Sequence, residues 1–261
     1  MNPRTPIVVI RLSLALLMML IGASIATANT ANISNSASGD KTAHLDVKDA
    51  AQSNQVCDAT ADYFLGMEDY GEAIATHRRV LAAHPADAMA HYHLGFAYGM
   101  TGDHQREIGE YRKAAALGLR QWDFDLNFGR ALLEGGDPTG AASAFNTAVA
   151  LAPERPEGHF NLGLAYERSG KLATALDELQ TSLRLDPRQP DARNMMGLIY
   201  AEEHDYSRAR EIWIKLARTE PDFEPARLNL AILDRHLEAP GDVRLPTDHN
   251  TVRAAFTFNH D

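Results

Sequence analysis

With 261 residues, 45% hydrophobic and 23% charged, the chain has the make-up of a folded protein rather than a disordered one. Its formal charge of −10, from 25 Lys and Arg against 35 Asp and Glu, argues against nucleic acid and anionic membrane surfaces as partners, since both need clustered cations. A single cysteine, Cys57, excludes an intrachain disulfide.

In the first segment Arg4 and Arg11 precede an apolar run from Leu12 to Ile25 that ends in Ala26-Thr27-Ala28, a small-x-small cleavage pattern. This predicts a secretory signal peptide over residues 1–28, cleaved after Ala28. The run is short for a membrane span, which takes about 20 apolar residues, so cleavage is favoured over a retained anchor. Cleavage removes two Arg and no acids, taking the formal charge from −10 to −12. The expected location is the periplasm or the cell exterior, with no membrane insertion of the mature chain, and the fold must hold there without a disulfide. Residues 29–53 are rich in Ala, Asn, Ser and Asp and are expected to form a flexible linker.

From Asn54 the chain repeats itself. Starting points at Asn54, Ala88, Trp122, Pro156 and Pro190 are 34 residues apart without insertion, giving segments 54–87, 88–121, 122–155, 156–189 and 190–223. A sixth start at Glu224 carries one helical stretch, 224–238, expected to cap the array, and 239–261 is expected to be a mobile tail. The eighth place of each segment holds Ala61, Gly95, Gly129, Gly163, Gly197 and Ala231. The twentieth holds Ala73, Glu107, Ala141, Ala175 and Ala209, and the thirty-second Pro85, Leu119, Pro153, Pro187 and Pro221.

Elementary geometry turns this into helix, turn, helix, stop. Places 4, 7, 8 and 11 fall in one stripe of a helix, and small residues at places 8 and 20 let paired helices approach closely. Gly102-Asp103, Gly136-Asp137-Pro138 and Ser169-Gly170 suit a left-handed C-terminal cap followed by a new helix start, and the proline at place 32 stops the second helix.

The pattern resembles the tetratricopeptide repeat family, through Leu94-Gly95 with Tyr98, Leu162-Gly163 with Tyr166, Met196-Gly197 with Tyr200, and Phe145 and Trp213 at the later aromatic place. The resemblance covers residues 54–237 and implies an all-α protein: an α-solenoid of antiparallel helix pairs, five repeats plus a C-terminal capping helix, wound as a right-handed superhelix. Two departures stand out. Glu107 and Leu119 break the small and proline places of the second repeat, so its second helix is expected to sit further out or to run on through Gly118 towards Trp122. The first repeat puts Cys57 at a packing place and has no Gly at its turn, which predicts a weaker N-terminal repeat.

Function is then sought on the face that packing leaves unused. Places 2, 5, 6, 9, 12 and 13 of each first helix lie opposite the packing stripe, the side that lines the concave groove in the resembled family. They hold Met89, Tyr92, His93, Phe96 and Met100, then Leu126, Asn127, Arg130 and Glu134. Phe160, Asn161, Leu164 and Arg168 follow, then Asn194, Met195, Leu198 and Glu202, and finally Leu228, Asn229 and Ile232. Aromatic and aliphatic groups with interspersed amides suit an extended or helical segment of a protein or peptide partner. Asn127, Asn161 and Asn229 share place 6, and the resemblance implies a ladder of asparagines holding peptide main chain, interrupted here by Met195. Arg130 and Arg168 are the cations at these places in repeats two to five, too few for the family's carboxylate clamp.

No nucleophile elbow, phosphate-cradling loop or His-Glu-x-x-His helix is present, so catalysis and cofactors are not expected. His91 and His93 point to opposite sides of one helix, and His77, His84 and His91 approach one another only across a repeat boundary, without the convergent ligand set a metal needs. The reading is a non-enzymatic interaction scaffold of the cell envelope. Its alternatives are a protein that stacks on itself as a homo-oligomer, its tether or tail in the next copy's groove, and a metal- or ligand-dependent sensor or enzyme.

Overall fold

The computed structural model describes residues 59–238. The predicted signal peptide, the linker, Cys57 and the C-terminal tail lie outside the described residues. Those residues hold helices and turns without a strand, and no helix among them is long and apolar enough to cross a membrane.

Eleven helices follow in order among the described residues: α1 (Ala59–Gly66), α2 (Tyr70–Ala83), α3 (Ala88–Met100), α4 (His104–Ala116), α5 (Trp122–Glu134), α6 (Pro138–Leu151), α7 (Pro156–Arg168), α8 (Leu172–Leu185), α9 (Pro190–Glu202), α10 (Tyr206–Thr219) and α11 (Glu224–Glu238). Ala88, Trp122, Pro156, Pro190 and Glu224, each reached by the 34-residue interval, are first residues of helices. The chain divides into two compact units, α1–α4 and α5–α11. Within each unit successive helices pack on one another as hairpins, an α-solenoid architecture, and first helices of adjacent repeats also touch.

The turns explain why each first helix stops and the second starts at once. The fifteenth place always takes the left-handed conformation: Gly102, Gly136 and Gly170 have φ of 82°, 80° and 73°, while Glu68 and His204 adopt 60° and 61° at the same place. A side chain with a Cβ is strained there, so the first and fifth repeats make this turn less easily than the other three. One residue on, Asp69, Asp103, Asp137 and Asp205 accept a hydrogen bond from the backbone N–H three residues later, at 3.2, 3.2, 2.8 and 3.1 Å. Lys171 holds this place in the fourth repeat and makes no such cap.

The small residue at place 8 is there for the large one at place 24. A Cβ on Gly129 would lie 2.5 Å from the Phe145 ring, one on Gly197 2.6 Å from the Trp213 indole, and one on Gly95 2.6 Å from the Tyr111 ring. Gly163 receives the slimmer Leu179, whose Cγ would stand 3.0 Å away. Tyr111, Phe145, Leu179 and Trp213 are all fully buried in consequence. Such ridge-into-notch packing is where these helices gain most of their stability, about 1.5 to 3 kcal/mol per large side chain removed from water.

The expected displacement of the second repeat's second helix is not found. α4 ends at Ala116, and Leu117, left-handed Gly118 at φ 88° and Leu119 close it with bonds back to Lys113, Ala115 and Ala114. Gly95 still meets Tyr111 closely, and the Glu107 side chain lies over Gly99, where a Cβ would come within 2.5 Å of its carboxyl. A second glycine therefore accommodates the acid that seemed misplaced.

Polar ties join one repeat to the next. His91 sets Nδ1 2.6 Å from Glu110 and Nε2 3.1 Å from the Pro85 carbonyl. His159 does the same with Glu178 at 2.7 Å and the Pro153 carbonyl at 3.0 Å. In the fifth repeat Arg193 donates to the Pro187 carbonyl from the same place. Each carbonyl belongs to the proline that ended the preceding repeat, so one residue binds its partner helix or its predecessor's stop, or both. Each of these two histidines thus sets one ring nitrogen against a carboxylate and the other against a carbonyl. Burial pushes the Glu110 carboxyl up, but bonds from His91 and Lys113 outweigh it and hold it below the usual carboxylate range.

Candidate functional site

The predicted groove residues divide, once packing is known, into those that build the solenoid and those left over. In the first unit, Tyr92 is 2% exposed and its ring sits 5.8 Å from that of Tyr111, so it is a core residue and not a groove residue. Tyr111 is the same residue that fills the notch at Gly95, so Tyr92 packs with the hairpin's own filler. Phe96 is half-buried. His93 is half-buried too, but its Nδ1 lies 2.8 Å from Asp62 Oδ1 on α1 and its ring 5.3 Å from that of His77 on α2.

In the second unit Leu126 and Leu198 are buried. Asn229 is 1% exposed and donates Nδ2 to Asn194 Oδ1 at 2.9 Å, and the same oxygen accepts Trp213 Nε1 at 2.9 Å. The C-terminal end of the predicted asparagine ladder is thus a buried joint between α9, α10 and α11. Arg168 donates Nη1 to the Leu133 carbonyl at 3.3 Å, tying the end of α7 to the end of α5. These two asparagines and this arginine were expected to meet a partner, and the structure has them bonded to the protein itself.

What remains is compact in sequence: Asn127 and Arg130 on α5, and Phe160, Asn161 and Leu164 on α7. Arg130 is exposed and the other four are half-buried. Phe160 rests its inner side on the cluster of Ala175, Leu176, Leu179, Ala192 and Ile199, which fixes its ring. Asn161 Nδ2 bonds the Glu157 carbonyl at 2.8 Å within its own helix, an arrangement that orients the amide while its carbonyl oxygen takes no part in that bond. An oriented amide beside a supported aromatic ring is the chemistry that grips a main chain and one apolar side chain.

Residues that sequence reasoning passed over include the His91–Glu110 and His159–Glu178 pairs. Their identical separation of nineteen residues, at identical places in two repeats, was the available signal. His77, His84 and His91, considered above across the repeat boundary, do not gather: His84 is exposed and ends α2, and His91 is taken by Glu110 and Pro85. His77 instead meets His93 and Asp62. Two concavities were not foreseen either, one of about 560 Å³ beside His204, Tyr206 and Leu237, the other of about 620 Å³ along α10 beside Arg210, Ile214 and Arg218. In the first, burial pushes the Tyr206 phenol up.

Known structures share this architecture. YrrB, described as a TPR protein with an unusual peptide-binding site, is 23% identical with a TM-score of 0.61, over 68% of this chain and 88% of its own. MamA from Desulfovibrio magneticus is 22% identical with a TM-score of 0.59, over 67% of this chain and 97% of its own. Pseudomonas aeruginosa pilF is 25% identical with a TM-score of 0.54, over 80% of this chain and 89% of its own. No curated protein matches. The tetratricopeptide repeat family matches residues 59–121, 126–190 and 168–225, more than half of the chain. With the 34-residue interval, the glycine notches and the helix hairpins all in one register, the chain belongs to the tetratricopeptide repeat family.

Proposed function

We propose that the protein is a non-enzymatic scaffold of the cell envelope that takes an extended or helical segment of a partner protein against the first-helix face of α5 and α7. The observation that carries this reading is the set Asn127, Phe160, Asn161 and Leu164, which stays half-exposed after the helices have packed. Phe160 and Leu164 offer apolar burial, and the Asn161 carbonyl oxygen accepts from a partner's backbone N–H. The description of YrrB as peptide-binding supports the same use of this fold. Envelope placement rests on Arg4, Arg11, the run from Leu12 to Ile25 and Ala26-Thr27-Ala28.

Peptides selected against the full chain from a random displayed library test the binding face. The double variant Phe160→Ala with Asn161→Ala is expected to weaken them by about 2 kcal/mol or more, the scale of an interface anchor, with the helical circular dichroism retained. Selected peptides that bind the double variant as tightly as the parent overturn the assignment. Export is tested separately: the intact mass of the protein recovered from a periplasmic extract should match a chain beginning at Asn29, and recovery of the full-length chain in the cytoplasm alone removes the envelope from the reading.

A further inference from the structure

The structure assigns a transition-metal site to Asp62, His77 and His93, which goes beyond the scaffold reading and does not rest on it. Place 24 carries the argument. Tyr111, Phe145, Leu179 and Trp213 fill it in the other repeats as fully buried large apolar groups, whereas the first repeat puts His77 there, 2% exposed. A core position that gives up an aromatic or aliphatic group for an imidazole sacrifices packing, and departures of this kind mark sites held for another purpose.

The neighbours of that imidazole are metal ligands. One donor atom from each of Asp62, His77 and His93 lies within 4.8 Å of the others. His93 Nδ1 already stands 2.8 Å from Asp62 Oδ1, and the His77 and His93 rings meet edge to face at 5.3 Å. Ligand atoms around a tetrahedral zinc stand about 3.4 Å apart, given bonds of about 2.1 Å, so side-chain movements of about 1 Å gather the three donors on one ion. Two imidazoles and one carboxylate select zinc and its neighbours over calcium and magnesium, which prefer all-oxygen shells. Three protein ligands leave a fourth position for water, on the side where the Asp62 side chain is 37% exposed.

The ion's work follows from what α1 lacks. Over its described residues, Ala59–Gly66, this helix buries Ala61 alone, so that stretch adds little apolar surface to the stack. A metal held by Asp62 on α1, His77 on α2 and His93 on α3 clamps it to the two helices behind it, supplying at the start of the array the cohesion that a large residue at place 24 supplies elsewhere.

The test uses the untagged full chain and zinc chloride in competition with a chromophoric chelator, with cobalt(II) as a spectroscopic probe. One zinc per chain is expected, together with the visible absorption of four-coordinate cobalt. His77→Phe restores the side-chain type of the other repeats and is expected to fold, yet to weaken zinc binding by roughly 100-fold or more. Asp62→Ala, on a partly exposed side chain, serves as the second variant and should weaken binding likewise. Zinc should also raise the melting temperature of the parent and leave that of His77→Phe unmoved. Zinc binding of equal affinity in the parent and in both variants, or no binding by the parent at micromolar zinc, overturns the site.

Discussion

Replacing Trp213 by alanine is expected to cost about 3 to 5 kcal/mol, the range for emptying a buried aromatic site. The indole is fully buried among Leu198, Ala201, Ala209, Leu216, Ala226 and Leu233, and it fills the notch left by Gly197. Its N–H also supplies one of the two bonds to Asn194 Oδ1. Because each repeat is supported only by its neighbours, the damage should be local: α9 to α11 loosen while the rest persists. The chain's other tryptophan, Trp122, opens α5 and then serves as a reporter on the far side of the lesion. Urea denaturation should show helical dichroism falling before the Trp122 fluorescence changes. Trp213→Phe should recover most of the loss, since Phe145 fills the corresponding notch under Gly129. Coincident transitions in the alanine variant would show that the lesion spreads through the whole unit.

The second large effect is electrostatic. Asp125 is 4% exposed, and burial pushes its carboxyl up to about 6, against the opposing pull of the Arg120 guanidinium and the Gln121 backbone. A carboxyl raised in the folded state holds its proton where the unfolded chain has given its own up. Its contribution is therefore fully present below about pH 4 and is lost as pH rises to about 6, after which the buried charge is a constant burden. The shift corresponds to on the order of 2 to 3 kcal/mol. Asp125→Asn removes the charge at similar shape and is expected to stabilise the protein by about 2 kcal/mol at pH 7 and hardly at all at pH 4. Melting the parent and the variant across that range isolates this group from all other carboxylates. A difference independent of pH would mean that the carboxylate is neutralised or hydrated in the folded state.

The sequence made the solenoid legible because its rules are local. A small residue at place 8 and a large residue sixteen places on, an aspartate opening four of the five second helices, and a proline closing four of the five state the hairpin almost completely. Glu107 was misread because its compensation, Gly99, stands on the other helix of the hairpin. For the candidate site the spacing named positions and left their burial open. Helical spacing sends Tyr92, Asn194 and Asn229 to the face away from the packing stripe, but it cannot say whether another side chain arrives there first. Asn229 found Asn194, and Tyr92 found Tyr111, both through contacts that depend on how neighbouring helices lean. His77 was visible all along as a polar residue at an apolar place, yet only the folded chain brings Asp62 and His93 to it.

The notch and its filler always belong to the same 34 residues: Gly95 with Tyr111, Gly129 with Phe145, Gly163 with Leu179, Gly197 with Trp213. What runs between neighbours is apolar as well as polar: one cluster joins Leu176 and Leu179 with Ala192 and Ile199, another joins Trp213 with Ala226 and Leu233, and hydrogen bonds run from His159 to Pro153, Arg168 to Leu133 and Asn229 to Asn194. A duplication that copies one whole repeat therefore carries its notch and filler with it, and has the apolar contacts and hydrogen bonds of the junction to re-form. Such an array can grow or shrink by full repeats through viable intermediates, whereas a crossover inside a hairpin would pair notches with the wrong fillers.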